Sequence, residues 1–349
     1  MVPSPALPEE SSPLASNNNV DIELFNGRLY LAWRTGPTHF ASADARMEVI
    51  SSGDSGQTWR YETTFAVGRD VREPRFYQIN NTLFFSFFEA GINVIAFEPK
   101  ALWRSQLMIG GEWSEPVIES EEKVVVWDIK LRSGKLYRTS YVGDHYTSSD
   151  LGGISVLFET SKDGILWTAV GDGAEVIFGG VSEVAFEFLA DGSLVAVGRV
   201  EDKDPRGMGS LVCTAPSSSL GDWECADMAD PERYDSPELF RHGSTIYMAA
   251  RRDPDGTFGP EGDFLAYSTR PKRSALYRVD PETLTVSHIE DFPGVGDTAF
   301  PAIRRLSEDA FLMANYTSPL DNPDVNWLDA QVSDKGTRIY LTKIQFSAP

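Results

Sequence analysis

The sequence predicts an all-β protein, a six-bladed β-propeller made of four-stranded antiparallel blades. One observation behind this prediction is that tryptophan recurs at intervals of 54, 54 and 56 residues, at Trp59, Trp113, Trp167 and Trp223. Another is that short apolar runs alternate closely with Gly, Asn, Asp and Ser turns, whereas helical periodicity is almost absent. A period of about 55 residues indicates one supersecondary unit used repeatedly, and six such units fill nearly all of the 349 residues.

Each unit opens with a hairpin that is visible in the sequence. Gly, Asn and Asp supply the positive φ angles that tight hairpins need. The six turns are at Asn26-Gly27, Asn80-Asn81, Gly134, Asp191-Gly192, Gly243 and Ser307 to Asp309. A second, more variable hairpin follows, and in the first four units its last strand begins near the recurring tryptophan. The alternative fold, a pair of β-sandwiches, would not explain the period.

We expect residues 20–349 to form one propeller domain and residues 1–19 to form a flexible N-terminal segment. The sixth unit lacks a visible fourth strand, so this segment is a candidate for the strand that closes the ring. It lacks the basic-then-apolar plan of a signal peptide, which leaves cytoplasmic and secreted locations both open. Cys213 and Cys225 fit either a disulfide between neighbouring strands or two buried thiols.

Composition narrows the possible partners. The formal net charge of −21 argues against nucleic acids and anionic membranes, because both require a basic protein surface. The chain has no apolar run of about 18 residues that would predict a membrane span. We therefore expect a monomer that acts on a small molecule or an oligosaccharide. No cofactor is expected; carboxylates around a propeller axis could hold a calcium ion, but no motif in the sequence supports one.

Charged and aromatic residues gather where two predicted strands of each blade meet the same face. In a propeller, the innermost strand starts at one face and the second strand returns to it. Innermost-strand starts hold Asp70, Arg72, Glu73, Asp128, Glu183, Tyr234, Asp235 and Asp297. Second-strand ends hold Arg34, His39, Tyr141, His145, Arg199 and Arg251. Charged side chains at the ends of apolar strands usually have an ion-pair partner or a functional role. The set therefore predicts either a central site or ion pairs between blades.

These residue types suit the chemistry of sugars, since carboxylate pairs cleave glycosidic bonds and arginine binds planar anions. The candidate acids and bases are Glu183, Asp235, Asp128, Asp297, Asp70 and His39. The candidate substrate-binding residues are Arg34, Arg72, Glu73, Tyr141, His145, Arg199, Tyr234 and Arg251. The sequence contains no metal-ligand motif, Gly-rich phosphate loop or G-x-S-x-G elbow. A polar loop from Asp253 to Asp263 is predicted to overhang the mouth.

One turn resembles a motif of a known family. Residues 52–59 follow the pattern S-x-D-x-G-x-T-W, and residues 161–167 form a shortened copy. The Asp of such a turn accepts hydrogen bonds from backbone amides, and the Trp fills the gap against a neighbouring strand. The pattern resembles the Asp box of the sialidase superfamily of propellers, and the likeness in architecture covers residues 20 to 346. Because Asp boxes lie on outer hairpins, the resemblance bears on the fold more than on the chemistry.

The resemblance also implies a site. In sialidases, a Tyr polarised by a Glu is the nucleophile, an Asp is the acid and base, and three Arg bind the substrate carboxylate. The segment SEVAFEFLADGSLVAVGR looks like the one that holds the family's Glu and second Arg, which here are Glu183 and Arg199. Arg251 lies in a suitable place for the third Arg. Asp44 lies near the expected acid–base Asp, with His39 as its competitor.

The sequence departs from the family pattern in two places. The family's first Arg is missing and Asp21 lies near its position, while an Arg-Glu-Pro phrase, residues 72–74, occurs one blade later. Phe300 stands at the expected Tyr, with Tyr316 or Tyr234 as substitutes. We therefore predict a relative that is not a true sialidase, a glycoside hydrolase with an axial site for an anionic or hydroxyl-rich sugar. Alternatives are a non-catalytic propeller that binds a glycan or a protein, and a lyase of uronate polysaccharides.

Overall fold

The computed structural model describes residues 1–94, 98–143, 153–201, 204–258 and 262–347. These residues form six antiparallel sheets whose innermost strands contact one another in ring order, which confirms the predicted six-bladed β-propeller. Regular structure in this part of the chain is mostly strand, and it includes two α-helices of 5 residues each. Neither helix has the length or the apolar content that crossing a membrane would require.

The strands follow the chain blade by blade, with the innermost strand first. Blade one contains β1 (Ser16–Phe25), β2 (Arg28–Gly36), β3 (Arg46–Ser52) and β4 (Arg60–Phe65). Blade two contains β5 (Val71–Ile79), β6 (Thr82–Glu89), β7 (Ala101–Gln106) and β8 (Val117–Ser120). Blade three contains β9 (Val125–Arg132), β10 (Lys135–Val142), β11 (Ile154–Ser161), β12 (Thr168–Ala169) and an additional strand that also pairs with β11, β13 (Glu175–Gly179).

The second half of the ring repeats the plan and carries the helices. Blade four contains β14 (Val181–Phe188), β15 (Leu194–Val200), β16 (Ser210–Ala215) and β17 (Glu224–Cys225). Blade five contains β18 (Glu238–His242), β19 (Thr245–Arg252), α1 (Phe264–Ser268), β20 (Arg273–Asp280) and β21 (Thr285–Val295). Blade six contains β22 (Ala302–Arg305), β23 (Ala310–Thr317), α2 (Trp327–Gln331) and β24 (Arg338–Gln345).

The recurring tryptophans help to pack neighbouring blades together. Trp113, from blade two, contacts Tyr30 of blade one with ring centroids 6.2 Å apart. Trp223, from blade four, contacts Phe158 of blade three at 5.3 Å. Edge-to-face aromatic pairs of this kind add to the free energy gained by burying the rings. The sequence period is therefore the length of one blade, because blades two, three and four each present this ring to the blade before them.

The turns at Asp54 and Asp163 are held by their own carboxylates. Asp54 accepts hydrogen bonds from the backbone amides of Gln57 and Thr58, at 3.0 and 2.9 Å. Asp163 accepts two backbone amides of its own turn, at 2.8 and 2.9 Å. Both turns join the third and fourth strands of a blade, so they lie on outer hairpins.

The N-terminal residues contact blade six. Val2 exchanges two backbone hydrogen bonds with Ile339 of β24, with N···O distances of 3.1 and 2.8 Å. Strand β1 then begins at Ser16 and pairs with β2 in blade one. The N-terminal stretch therefore contacts both sides of the seam between the first and last blades. The division into a flexible segment 1–19 and a domain 20–349 stays a prediction.

The two cysteines lie on paired strands at the outer edge of blade four. Cys213 of β16 is the register partner of Cys225 in β17. Their sulfurs form a disulfide. Of the two interpretations that the sequence left open, the structure therefore shows the bonded pair.

Candidate active site

The innermost strands of five blades enter one mouth of the axis through a residue with an uncommon backbone angle. These residues are Asn19 (φ 42°), Glu73 (52°), Glu183 (50°), Ser236 (53°) and Ala299 (69°). Left-handed angles are uncommon for residues that have a Cβ, so they persist where the surroundings enforce them, often at functional sites. The strand register shifts next to Asn19, Glu73 and Glu183, as in a β-bulge, which changes the direction of the side chain.

These strand starts open into a pocket of ≈ 380 Å³. The innermost strands contribute Asn19, Glu73 and Glu183 to its wall, and Ser236, just before β18, also lines it. The ends of second strands contribute Tyr141, Arg199, Arg251 and Tyr316. The structure thus brings both kinds of strand end to one concave site, of a size that can enclose a small ligand.

The structure divides the sequence-predicted site residues into four groups. The pocket wall contains His39, Arg72, Glu73, Tyr141, Glu183, Arg199 and Arg251. A buried layer in contact with these side chains contains Arg34, Asp70, Asp235 and Asp297. Two predicted residues, Asp128 and Tyr234, belong to neither layer. His145 lies outside the described residues.

Asp128 was expected at the mouth but points away from the pocket. It accepts a hydrogen bond from the backbone amide of Phe186 in the next blade at 3.0 Å, and it lies 3.4 Å from Lys130. The reason is a register shift in β9, beside Trp127. Trp127 occupies the position that Glu73 has in blade two, and the side chain of Asp128 consequently turns toward blade four.

Tyr234 is also absent from the pocket wall formed by the described residues. Its ring is buried against Tyr277, with centroids 4.8 Å apart. Asp44, which the family resemblance suggested as an acid–base group, is exposed and does not line the pocket. Of the two candidate substitutes for the family's tyrosine, only Tyr316 therefore reaches the site.

Glu73 is a pocket carboxyl with a strongly raised pKa. Its Oε2 accepts a hydrogen bond from the side-chain amide of Asn19 at 3.2 Å. Burial raises the pKa of Glu73 to about 7, and the neighbouring Glu183 adds to the rise, while Arg75 and Arg72 oppose it. Glu73 can therefore hold a proton near neutral pH.

Glu183 has an N–H donor on each carboxylate oxygen. The Arg199 guanidinium donates to Oε1 at 2.7 Å, and the backbone amide of Ser236 donates to Oε2 at 2.8 Å. Burial raises the pKa of Glu183, Arg199 opposes that rise, and Asp235 adds to it. Because guanidinium and amide groups only donate, we assign the ionised form to Glu183 at neutral pH.

Asp235 anchors arginines behind the wall. Its oxygens lie 2.9 Å from Arg233, 3.3 Å from Arg251 and 3.9 Å from Arg199, and Tyr267 donates its hydroxyl to the same carboxylate. Burial alone would raise the pKa of Asp235, but the three guanidinium groups outweigh burial and hold it well below its usual range. Asp235 is thus a permanent anion that positions Arg199 and Arg251.

A second buried carboxylate, Asp297, supports two pocket residues. His39 Nδ1 lies 2.8 Å from Asp297, and the Tyr316 hydroxyl donates to the other carboxylate oxygen at 3.1 Å. Burial lowers the pKa of His39, and Asp297 opposes that shift only in part. His39 is therefore neutral at pH 7, and we assign its Nδ1 as the donor to Asp297.

Arg34 and Arg72 share one carboxylate. Asp70 accepts from Arg34 Nε at 2.8 Å and from Arg72 Nε at 2.6 Å. Arg34 and Asp70 are completely buried, whereas Arg72 reaches the pocket. Arg34 is consequently a support for the wall and does not touch the pocket space.

Sequence reasoning missed an aromatic wall formed by the two short helices. Phe264 of α1 and Trp327 of α2 line the pocket, with ring centroids 6.3 Å apart. The helices start at Asp263 and Asn326, whose side chains cap the first turn by accepting backbone amides at 2.8 Å. An Asp or Asn directly before an apolar run is the sequence signal that could have revealed them. The predicted overhanging loop, residues 253–263, ends at α1; residues 259–261 lie outside the described part.

Metal binding has no support in the described part of the chain. There, no group of three or more His, Cys, Asp or Glu side chains is arranged to hold a metal ion. The pocket cations are the arginines of its wall, each of which contacts a carboxylate.

Comparison with known proteins gives matches in structure only. No family model and no curated protein matches the sequence. A protein of unknown function from Dyadobacter fermentans DSM 18053 matches with a TM-score of 0.66 at 13% identity, over 95% of each chain. The phage phi92 endosialidase matches with a TM-score of 0.64 at 10% identity, over 97% of this chain and 68% of that one.

A third solved structure extends the similarity to another activity. The α-L-arabinanase of Penicillium chrysogenum, complexed with arabinobiose, matches with a TM-score of 0.56 at 13% identity, over 94% of this chain and 93% of the other. At such low identities the likeness establishes the fold alone. The chain therefore has the six-bladed propeller fold of the sialidases, and the low identities agree with the sequence-based prediction that it is not a true sialidase.

Proposed function

We propose that the pocket is the active site of a glycoside hydrolase. The observation that carries the proposal is the pair of Glu73 and Glu183. They come from equivalent positions of blades two and four, both have left-handed backbone angles, and both line the same pocket. Two carboxyl groups with different protonation are the usual requirement for cleaving a glycosidic bond.

In this proposal Glu73 is the general acid. Burial raises its pKa to about 7, so a large fraction of Glu73 is protonated at neutral pH. A protonated carboxyl can donate to the glycosidic oxygen as the bond to the leaving group breaks. The Asn19 amide, at 3.2 Å from Oε2, holds the carboxyl in place.

Glu183 supplies the opposing carboxylate. Its ion pair with Arg199 at 2.7 Å keeps it ionised, and its charge in turn helps Glu73 to retain a proton. An ionised Glu183 can attack the anomeric carbon or remove a proton from the attacking water. The stereochemistry of the product, followed by NMR of the released sugar, distinguishes these two roles.

Known proteins of the same fold support a carbohydrate as the substrate. The names of two of them, an endosialidase and an arabinanase, describe enzymes that act on glycans. We also assign residues 52–59 as an Asp box, since Asp54 binds the amides of its own turn. That turn lies on an outer hairpin and supports the architecture of the family without contributing to the pocket.

The proposal is tested with a panel of 4-methylumbelliferyl glycosides and natural oligosaccharides. Glu73→Gln and Glu183→Gln should each lower kcat by about 10²–10⁴-fold while the protein stays folded. Glu187→Gln is the matched control, because Glu187 is a carboxyl on the axis that lies in a different cavity. Wild-type turnover in both pocket variants would contradict the assignment.

Other outcomes of the same panel would select the alternatives. Sugar binding without any product would indicate a non-catalytic glycan-binding propeller. Products with a new absorption in the near ultraviolet would indicate a lyase, in which neutral His39, held by Asp297, could act as the base.

A further inference from the structure

We propose that the pocket accepts an uncharged, hydroxyl-rich sugar and discriminates against sugars that carry a carboxylate. The inference rests on the proposed function, because it names the class of sugar that the same site takes. It follows from how the arginines of the wall are paired, from the charge of the pocket, and from its aromatic wall.

Arg72 and Arg251 are each paired with a buried carboxylate of the protein. Arg72 Nε lies 2.6 Å from Asp70, and Arg251 lies 3.3 Å from Asp235. Arg251 also donates its Nε to the backbone carbonyl of Thr298 at 2.8 Å. A substrate carboxylate would have to share the charge of these guanidinium groups with acidic partners that are almost completely buried. Because weakening the pair of a buried carboxylate is unfavourable, the protein's own carboxylates compete with that of the substrate.

Arg199 is paired with two carboxylates. It lies 2.7 Å from Glu183 and 2.9 Å from Glu201. Its Nε contacts the hydroxyl of Ser182 at 3.2 Å as well. All three arginines that could bind a substrate carboxylate are therefore already neutralised by the protein.

The wall also contains two acidic residues outside these arginine pairs. Glu98 lies 3.7 Å from Lys100, and Glu73, which is partly protonated near neutral pH, has no arginine ion pair within 4.0 Å among the described residues. The formal net charge of the whole chain is −21, which disfavours the approach of anions in general. An added substrate carboxylate would make it harder for Glu183 to stay ionised beside Glu73.

The apolar part of the wall suits a sugar ring. Phe264, Trp327 and Phe40 line the pocket, and the first two rings contact each other. The Arg251 guanidinium lies 4.9 Å from the centre of the Trp327 ring, which fixes the indole. Flat aromatic faces can pack against the C–H face of a pyranose or furanose, while its hydroxyls reach the polar side chains.

The test uses pairs of methyl glycosides that differ only at C6, namely glucoside with glucuronide and galactoside with galacturonide. Binding is measured by saturation-transfer NMR with Glu73→Gln, so that turnover does not interfere. We expect at least one uncharged member to bind about tenfold or more tightly than its uronide partner. Trp327→Ala should lower that affinity by a similar factor, with Leu320→Ala, an exposed residue outside the described pocket wall, as control.

Asp70→Asn provides a second, opposite test. It removes the carboxylate paired with Arg72. The ratio of the affinity for the uncharged glycoside to that for its uronide should therefore decrease several-fold. Equal or tighter binding of the uronides by the Glu73→Gln protein would overturn the inference, as would failure of every uncharged sugar to bind. If uncharged sugars bind but wild-type protein cleaves none of the panel, the hydrolase proposal fails and this inference stands.

Discussion

The two ends of the propeller axis use similar residues in different ways. Opposite the pocket, a cavity of ≈ 410 Å³ is lined from all six innermost strands by Glu23, Gln78, Lys130, Glu187, Glu238 and Arg304. There, Lys130 lies 3.4, 4.0 and 3.9 Å from the carboxylates of three different blades, Asp128, Glu187 and Glu238. Arg304 likewise contacts carboxylates of blades one and five. At this end of the axis, ion pairs between charged side chains connect neighbouring blades.

The backbone separates the two ends more clearly than charge does. At the end opposite the pocket, left-handed residues such as Asn26 and Asn80 lie in hairpin turns, where Asn adopts that angle easily. At the pocket end, the same angle occurs at Glu73 and Glu183. The aromatic side chains of α1 and α2 line the pocket, and they are not among the described residues that line the opposite cavity. Left-handed angles at glutamates and the aromatic residues of the two helices therefore distinguish the pocket end, which we propose to be the functional one.

The largest expected effect is a loss of stability when the ion pairs at the end opposite the pocket are disrupted. Lys130→Met should lower the free energy of unfolding by about 3 kcal/mol, because it removes the cation beside the buried carboxylate of Asp128 and the partly buried carboxylate of Glu187, while Glu238 keeps Arg304. The kcat/KM of the folded protein should not change. Urea unfolding and steady-state assays give the two values, with the exposed Lys135→Met as control. A loss of activity without loss of stability would mean that this end takes part in catalysis.

The next prediction concerns the pocket end and follows from Glu73. Burial raises the pKa of Glu73 to about 7, and only the protonated form can act as the acid. The kcat/KM should therefore fall about tenfold for each pH unit above about 7. A pH–rate profile between about pH 5 and 9 measures it. A rate that stays constant to the alkaline end of this range would exclude Glu73 as the acid.

Whereas Lys130 stabilises the folded protein, an ionised Glu73 should destabilise it. Its pKa is raised from 4.5 to about 7 in the folded chain, so the unfolded chain releases this proton first as the pH rises. Stability is consequently highest below the unfolded pKa, decreases through the window up to about 7, and stays reduced above it.

Glu73→Gln cannot ionise and should be more stable than the wild type by about 1–2 kcal/mol at about pH 8, a figure reduced because the pocket is open to solvent. Near pH 4.5 the two proteins should differ little. Thermal unfolding at both pH values tests the sign, with the exposed Glu112→Gln as a control. A variant that is less stable at the higher pH would show that Glu73 is held by favourable contacts in its ionised form.

The smallest effect is expected in a hairpin at the end opposite the pocket. Ser133 and Gly134 both have positive φ, 49° and 74°, as in a type I′ turn, and Asn is the preferred residue at the first of these positions. Ser133→Asn should therefore stabilise the protein by about 0.5 kcal/mol without changing activity. Chemical unfolding gives the difference. A destabilised variant would mean that the left-handed angle of Ser133 depends on its hydroxyl.

Much of the fold could be predicted from the sequence because its causes are local. The tryptophan period, the hairpin turns and the carboxylates at Asp54 and Asp163 act within one blade or between neighbours. Glu183 and Arg199 could be placed at the mouth for the same reason, since each lies at the end of a readable strand. The true position of Asp128 could not be predicted in this way, because a one-residue bulge reverses which side of a strand a residue faces.

The repeat itself contains the missing information about that bulge. Asn19, Glu73, Trp127 and Glu183 follow one another at 54, 54 and 56 residues, the same intervals as the tryptophans of the outer hairpins. Aligning the units on this spacing would have selected Trp127 over Asp128. It would also have indicated Glu73 and Glu183 as equivalent residues, and hence as a pair.

The sequence by itself determined the number of blades, the hairpins and the set of polar residues near the axis, because these depend on periodicity and short-range turns. Only the tertiary structure decided which of those residues face the pocket and which arginines are already neutralised. They depend in part on contacts between blades, such as Asp235 with Arg199 and Asp297 with His39, whose partners are far apart in the sequence. Burial in the assembled ring then sets the protonation of Glu73 and His39, since desolvation has no counterpart in the unfolded chain.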